Sequence, residues 1–120
     1  MGKFYTAYFQ NGTERIAADM STGRAKLFYE MTLLVEPYVQ LPSGVADDNG
    51  QDEHPVEAEA FLQFFERFWE IGWLGEKHGL FHIWAQYAAG MVENISLEPR
   101  EWVDRCGKRL SVLRSAGSGE

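Results

Sequence analysis

The chain has 120 residues, 45% of them hydrophobic and 14% aromatic, which is enough for one globular domain and atypical of intrinsic disorder. Its 18 acidic residues outnumber 11 lysines and arginines, and the net charge of −7 argues against direct binding to nucleic-acid phosphates. One cysteine excludes an internal disulfide, and no apolar run approaches the ~20 residues of a membrane span, so we expect a cytoplasmic protein without membrane contact.

The N-terminal stretch predicts an antiparallel β-hairpin. Residues 3–10 are rich in aromatic residues and threonine, as strands are, and residues 13–19 alternate between the two faces of a strand. Between them, Asn11 and Gly12 are the pair favoured in a two-residue type I′ turn, because both positions of that turn take positive φ.

Residues 21–41 fit either a helix or a strand. At helical spacing, one face consists of Leu27, Phe28, Met31, Leu34, Val35 and Tyr38. At a period of two, one face consists of Leu27, Tyr29, Met31, Leu33 and Val35. We favour the helix, capped by Ser21 or Thr22, because the pattern is longer than a usual strand; an end near Glu36 would accommodate Pro37. The strand alternative would make the N-terminal half a three-stranded meander.

An acidic loop and an aromatic helix are predicted next. Residues 42–55 contain two prolines, two glycines and a cluster of acids, which indicates a solvated loop. In residues 57–73, apolar side chains cover more than half of a helix circumference, so we expect other elements to pack on at least two sides of this helix. These side chains are Phe61, Leu62, Phe64, Phe65, Phe68, Trp69, Ile71 and Trp73.

Two further helices complete the predicted fold. Residues 80–94 place large apolar side chains at core spacing, and Ser96 is a suitable cap for a last, basic helix. Its apolar seam would consist of Trp102, Val103, Cys106, Leu110 and Leu113. Residues 115–120 are small and polar, which predicts a flexible tail. We therefore predict a single α+β domain over residues 1–114, with an N-terminal antiparallel hairpin and three or four helices around the central aromatic helix.

The candidates for catalysis or metal binding are weak. His78 and His82 stand four residues apart, which suits two metal ligands on one helix face, but Glu93 or Cys106 could join them only through the tertiary fold. Solvent-facing or capping histidines, and a buried, unreactive thiol at Cys106, are the favoured interpretation. The acidic loop 47–53 fails the EF-hand spacing in both possible registers. We expect no catalytic residues, no metal and no other cofactor.

Acidic and aromatic residues are the remaining candidates for a binding surface. Six acids, with no basic residue among them, lie between positions 47 and 59: Asp47, Asp48, Asp52, Glu53, Glu57 and Glu59. A hairpin exposes one face or edge unless a helix covers it, and exposed rings are good anchors for a protein partner. The candidate rings are Tyr5, Tyr8 and Phe9.

These features predict a small, acidic, non-enzymatic binding protein that inhibits or regulates a larger basic protein, for example one that binds nucleic acid. Proteins of this general class include phage-encoded inhibitors of host defence, anti-CRISPR proteins among them, and immunity proteins against nuclease toxins; no motif of those families is present. A self-associating subunit, such as a homodimer formed through the hairpin rings or the basic last helix, is the alternative. A metal-dependent enzyme using His78 and His82 is the third hypothesis.

Overall fold

A computed structural model describes residues 2–71 and 79–95, the first four residues of the second range as backbone only. The elements in chain order are β1 (Gly2–Tyr8), β2 (Glu14–Ser21), α1 (Thr22–Val39), β3 (Glu53–Glu57), α2 (Ala58–Glu70) and α3 (Gly79–Ile95). The described chain is therefore α+β, with three helices and a three-stranded mixed sheet in the order β2-β1-β3. Among these helices, none is both long and apolar enough to cross a membrane.

The predicted hairpin is confirmed, but the predicted turn type is wrong. Phe9 and Thr13 close a three-residue loop, in which Phe9 N donates to Thr13 O at 2.8 Å and Gly12 N donates to Phe9 O at 3.0 Å. Only Gly12 in this loop has a positive φ, of 89°, whereas a type I′ turn would need it at Asn11 as well. Asn11 instead accepts a hydrogen bond from Thr13 N through its side-chain Oδ1 at 2.9 Å, which stabilises the longer loop.

A β-bulge divides the pairing of the hairpin. Tyr5 pairs with Ala18 but Thr6 pairs with Ile16, so the intervening Ala17 has no partner on β1. Asn94 of α3 donates to the carbonyl oxygen of Ala17 at 2.8 Å. The bulge thus leaves a backbone acceptor on β2 that α3 uses.

The third strand lies in residues that the sequence predicted mainly as loop, not in the ambiguous stretch 21–41. β3 pairs in parallel with β1, so the sheet is not a meander, and residues 53–55 belong to a strand rather than to the predicted loop. The outer edge of β3 is covered by the preceding segment: Ala46 N donates to Pro55 O, and Glu57 N donates to Gly44 O. Gly44 has a φ of 76°, and a Cβ there would lie 2.9 Å from Glu57 O. Only a glycine fits this close approach without displacement.

The ambiguous stretch is a helix, as favoured. Ser21 caps α1 by accepting from Arg24 N at 3.4 Å, and the helix continues through Pro37 to Val39 instead of stopping near Glu36. Its buried face consists of Ala25, Phe28, Met31, Thr32, Val35 and Val39. After α1 the chain returns to the sheet, where β3 pairs in parallel with β1.

Aromatic rings from all three helices form the core. α2 buries five of them: Phe61, Phe64, Phe65, Phe68 and Trp69. Three of them, Phe64, Phe65 and Phe68, contact Trp84 of α3. The Trp84 ring centroid lies 4.8 Å from that of Phe68 and 6.1 Å from that of Phe28 on α1. Trp84 Nε1 donates to Thr32 Oγ1 at 2.9 Å, so this buried indole also has its polar atom satisfied. α2 supplies the most rings, while α3 supplies the residue at which they converge.

Some predictions fall outside the described residues. These concern the predicted continuation of the aromatic helix over residues 72–73, His78, the last helix with Cys106, and the tail at 115–120.

Candidate protein-binding face

The sheet has one face against the helices and one that no helix among the described residues covers. Alternate residues of β1 show this division: Tyr5 and Ala7 are buried on the helix side, whereas Phe4 and Tyr8 are exposed on the opposite side. The register of β1 with both neighbours then assigns a set of side chains to that opposite side, which we call the open face. The open face consists of Phe4, Thr6, Tyr8, Glu14, Ile16, Asp19, Glu53, Pro55 and Glu57.

Large apolar side chains occupy the middle of the open face. Phe4 is 40% exposed, Tyr8 39% and Ile16 59%, and Thr6 lies between them on β1. Thr6 is paired with Ile16 on β2 and with Pro55 on β3. Phe4, Tyr8 and Ile16 therefore form an apolar patch on β1 and β2 around the buried Thr6. Such a patch marks an interaction surface when polar groups surround it.

Carboxylates surround this patch. Asp19 pairs with Phe4 across the β1–β2 ladder, and Glu14 pairs with Tyr8. On the other side, Glu53 lies beside Phe4 and Glu57 beside Tyr8. Among the strand residues assigned to the open face, four are acidic and none is basic. An apolar centre with a charged rim of one sign is complementary to a partner whose apolar residues are flanked by lysines or arginines.

Tyr8 is held in place by one of these carboxylates. Its hydroxyl donates to Glu53 Oε2 at 2.6 Å. This hydrogen bond lowers the pKa of Glu53 and raises the pKa of Tyr8 to about 12, because it stabilises the carboxylate and the protonated phenol together. Asn49 Nδ2 also donates to Glu53 Oε1 at 2.7 Å. The Tyr8 ring is therefore ordered before any partner arrives, which reduces the entropy that binding must remove.

Two of the predicted acidic residues, Asp48 and Asp52, are paired with Lys3. Lys3 Nζ donates to Asp48 and also to Asp52, the latter at 3.3 Å. The hydrogen bond from Lys3 lowers the pKa of Asp48, with Gly50 N adding a second donor at 2.7 Å. Lys3 of β1 thus binds the acidic segment. Asp48 in particular stabilises the fold, and its carboxylate is not free to bind a partner.

The other predicted residues divide between the open face and the interior. Glu53, Glu57 and Tyr8 lie on the open face, but Glu59 accepts hydrogen bonds from Gln10 N at 3.2 and 3.3 Å. Tyr5 and Phe9 are buried in the core, so they cannot serve as the partner contacts proposed from the sequence. The hydroxyl of Tyr5 donates to Ala25 O at 2.6 Å inside the protein.

The sequence did not single out six of the nine open-face residues, namely Phe4, Thr6, Glu14, Ile16, Asp19 and Pro55. Phe4 and Ile16 contribute to the apolar patch, while Glu14 and Asp19 contribute to the rim. The alternation of the hairpin already placed Glu14 and Ile16 on a common face, which was the available signal. Unbroken alternation over residues 13–19 would put Asp19 on the opposite face from Glu14 and Ile16, but the bulge at Ala17 brings it to the open face.

The described residues offer little support for metal chemistry. No group of three or more His, Cys, Asp or Glu side chains within them is placed to hold a metal ion. His78 and Cys106 lie outside the described residues, as does the side chain of His82. Glu93, the other suggested ligand, lies exposed on α3.

Comparison with known proteins finds no matching family model, no matching curated protein and no matching solved structure.

Proposed function

We propose that the protein is a non-catalytic binding protein that docks its open face onto a basic surface of a larger protein and thereby inhibits or regulates that partner. The observation that carries the proposal is the apolar patch of Phe4, Tyr8 and Ile16 inside a rim of four carboxylates. Interfaces commonly combine a ring-bearing centre with a polar rim, and aromatic anchors at the centre contribute most of the affinity.

The four carboxylates of the rim predict a partner surface with positive charge. Carboxylates repel the phosphates of nucleic acid, so the partner of this face is a protein with exposed lysines or arginines. If that partner uses its basic surface to bind nucleic acid, occupation by the open face would block the natural ligand. Charge of this kind acts mainly on the association rate, which makes salt dependence a direct test.

Self-association through the open face is the weaker candidate. Two copies meeting at this face would bring Glu14, Asp19, Glu53 and Glu57 of each copy close together, and such like-charge contacts oppose binding. A dimer formed through the basic residues after position 96 would use a region outside the described residues. We therefore place the homodimer second to a basic partner.

The test begins with affinity capture from the native host at low and high salt, followed by kinetics with the purified captured partner. Glu14→Lys and Asp19→Lys each reverse one rim charge, and we expect association at low salt to slow by about threefold to tenfold. The matched control is Glu70→Lys, which makes the same charge change on the solvent side of α2. The difference between rim and control variants should shrink as salt screens the charges.

Tyr8→Ala tests the centre of the same face. Loss of an interface anchor ring should raise the dissociation rate constant and weaken binding by about 2 kcal/mol. Equal kinetics for wild type, both rim variants and Tyr8→Ala would show that the partner binds elsewhere, and the proposal would then be abandoned.

A further inference from the structure

A second surface lies on the helix side of the sheet, away from the open face. There, a cleft of about 340 Å³ separates α1 from the segment that covers the edge of β3. Its lining consists of Lys3, Thr22, Lys26, Tyr29, Glu30, Leu33, Asp47, Asp48 and His54. The volume is within the range of pockets that take small ligands or a single side chain of a partner.

The charges that remain available in this cleft favour a cation. Lys3 and Asp48 bind each other, so neither is free to select a ligand. Asp47 and Glu30 are exposed and form no ion pair with another described residue. Lys26 adds one positive charge, so Asp47, Glu30 and Lys26 together carry a net charge of one carboxylate.

His54 provides an independent sign of a ligand site. Its side chain is almost wholly buried, at 2% exposure, and still contributes to the cleft wall. Its Nδ1 lies 3.0 Å from Ala46 O, and since a carbonyl oxygen only accepts, Nδ1 carries the proton in the neutral ring. The lone pair is therefore on Nε2, which forms no hydrogen bond with the residues that the structure describes. A buried ring that presents an unused acceptor at a cleft is suited to a ligand that donates.

The ring is also held rigidly in this orientation. His54 stacks on Tyr5 with the ring centroids 4.5 Å apart and the planes 11° from parallel. Tyr29 lies on the cleft side, with its centroid 5.7 Å from that of His54. Tyr29 offers an aromatic surface and Leu33 an apolar one beside the two free carboxylates.

We propose that this cleft is a second binding site, separate from the open face, and that it takes a guanidinium group. A guanidinium is planar, donates through several N–H groups, pairs with carboxylates and stacks on aromatic rings. Asp47 and Glu30 supply the carboxylates, His54 Nε2 the neutral acceptor and Tyr29 the ring. The source of the group is either free arginine or an arginine side chain of a protein, and the second source alone rests on the proposed function.

The test uses isolated protein and small probes, so it does not depend on knowing the partner. ¹⁵N-labelled protein is titrated with L-arginine and with N-acetyl-L-arginine amide, and saturable shifts are expected at the amides of Tyr29, Asp47 and His54. N-acetyl-L-citrulline amide, which is uncharged and of similar shape, should give no such shifts. Tighter binding of free arginine identifies a small-molecule site in which Lys26 pairs with the ligand carboxylate; equal or tighter binding of the blocked form identifies an arginine side chain.

Two variants connect the binding to these residues. Asp47→Asn with Glu30→Gln removes both free charges and should weaken binding about tenfold, while Asp47→Asn keeps an oxygen for the hydrogen bond from Asp48 N. The matched control is Glu14→Gln with Asp19→Asn, an equal charge change on the open face, which should leave binding unchanged. The proposal is overturned if neither arginine probe gives saturable shifts, if citrulline binds equally, or if the two double variants behave alike. These outcomes leave the open-face experiments unaffected, so the two proposals fail separately.

Discussion

The two faces of one small sheet show how neighbouring residues of a strand take opposite roles. On the helix side, Tyr5 is fully buried and its hydroxyl donates to Ala25 O. On the open face, Phe4 and Tyr8 are exposed, and the Tyr8 hydroxyl donates to a surface carboxylate. Alternation along β1 therefore decides which rings belong to the core and which remain exposed on the open face.

Truncating one ring on each side gives the largest contrast. Tyr5→Ala should reduce the free energy of unfolding by about 3–5 kcal/mol, because it leaves a cavity and removes the buried hydrogen bond to Ala25 O. Phe4→Ala should cost roughly 1 kcal/mol, since its ring is only partly covered. Urea denaturation followed by circular dichroism measures both. Similar losses for the two variants would mean that the faces are not distinct.

Gly44 tests how strongly the covering segment holds β3 in place. Gly44→Ala should destabilise the protein by about 2–4 kcal/mol, because the new Cβ would meet Glu57 O at 2.9 Å in addition to the cost of positive φ. Gly50→Ala is the matched control: Gly50 also has a positive φ, of 85°, but a Cβ there would meet nothing within 4 Å. We expect about 1 kcal/mol for the control. Equal losses would refute a steric role for Gly44.

A smaller effect is expected from removing a single hydroxyl on the open face. Tyr8→Phe deletes the hydrogen bond to Glu53 and should cost about 0.5–1.5 kcal/mol, with the ring retained. The same change should raise the pKa of Glu53 toward its ordinary value, since that hydrogen bond is the largest cause of its lowering. Carboxyl chemical shifts followed against pH report this directly; an unchanged Glu53 titration would show that the bond is absent in solution.

The smallest effect is on the acid dependence of stability. The folded-state pKa values of Asp48 and Glu53 are lowered, so their contributions are complete above the ordinary values of 3.8 and 4.5. They are lost as pH falls through the lowered folded values, because the unfolded chain then binds more protons. Urea midpoints between pH 2 and 6 should therefore fall on acidification, less steeply in Tyr8→Phe than in wild type. Parallel curves would contradict the role of the Tyr8 bond.

The helices were largely predictable because their patterns are long. The aromatic run of α2 and the capped stretch of α1 each repeat over enough residues to fix the type of structure, and Ser21 marks the start of α1. The end of α1 was not predictable, because Pro37 lies inside the helix and its effect depends on how the last turn packs.

The third strand and the candidate site were only partly predictable. Residues 53–57 contain Pro55 and polar side chains, and become a strand only through pairing with β1, which is a tertiary effect. The acidic composition selected Glu53 and Glu57, which lie on the open face, but it could not show that Lys3 pairs with Asp48. Burial of Tyr5 and Phe9 likewise depends on helices that follow them in the chain.

The segment beside β3 also bears on solubility. Unpaired amides and carbonyls along a sheet margin are the groups by which chains add to one another in fibrils. Residues 44–46 occupy that margin through Ala46 N and Gly44 O, and Pro55 has no amide to offer. A second chain could pair with the outer edge of β3 only after displacing this segment. Polymerisation by strand addition is therefore disfavoured at this edge of the sheet, although residues 44–46 do not form a strand of their own.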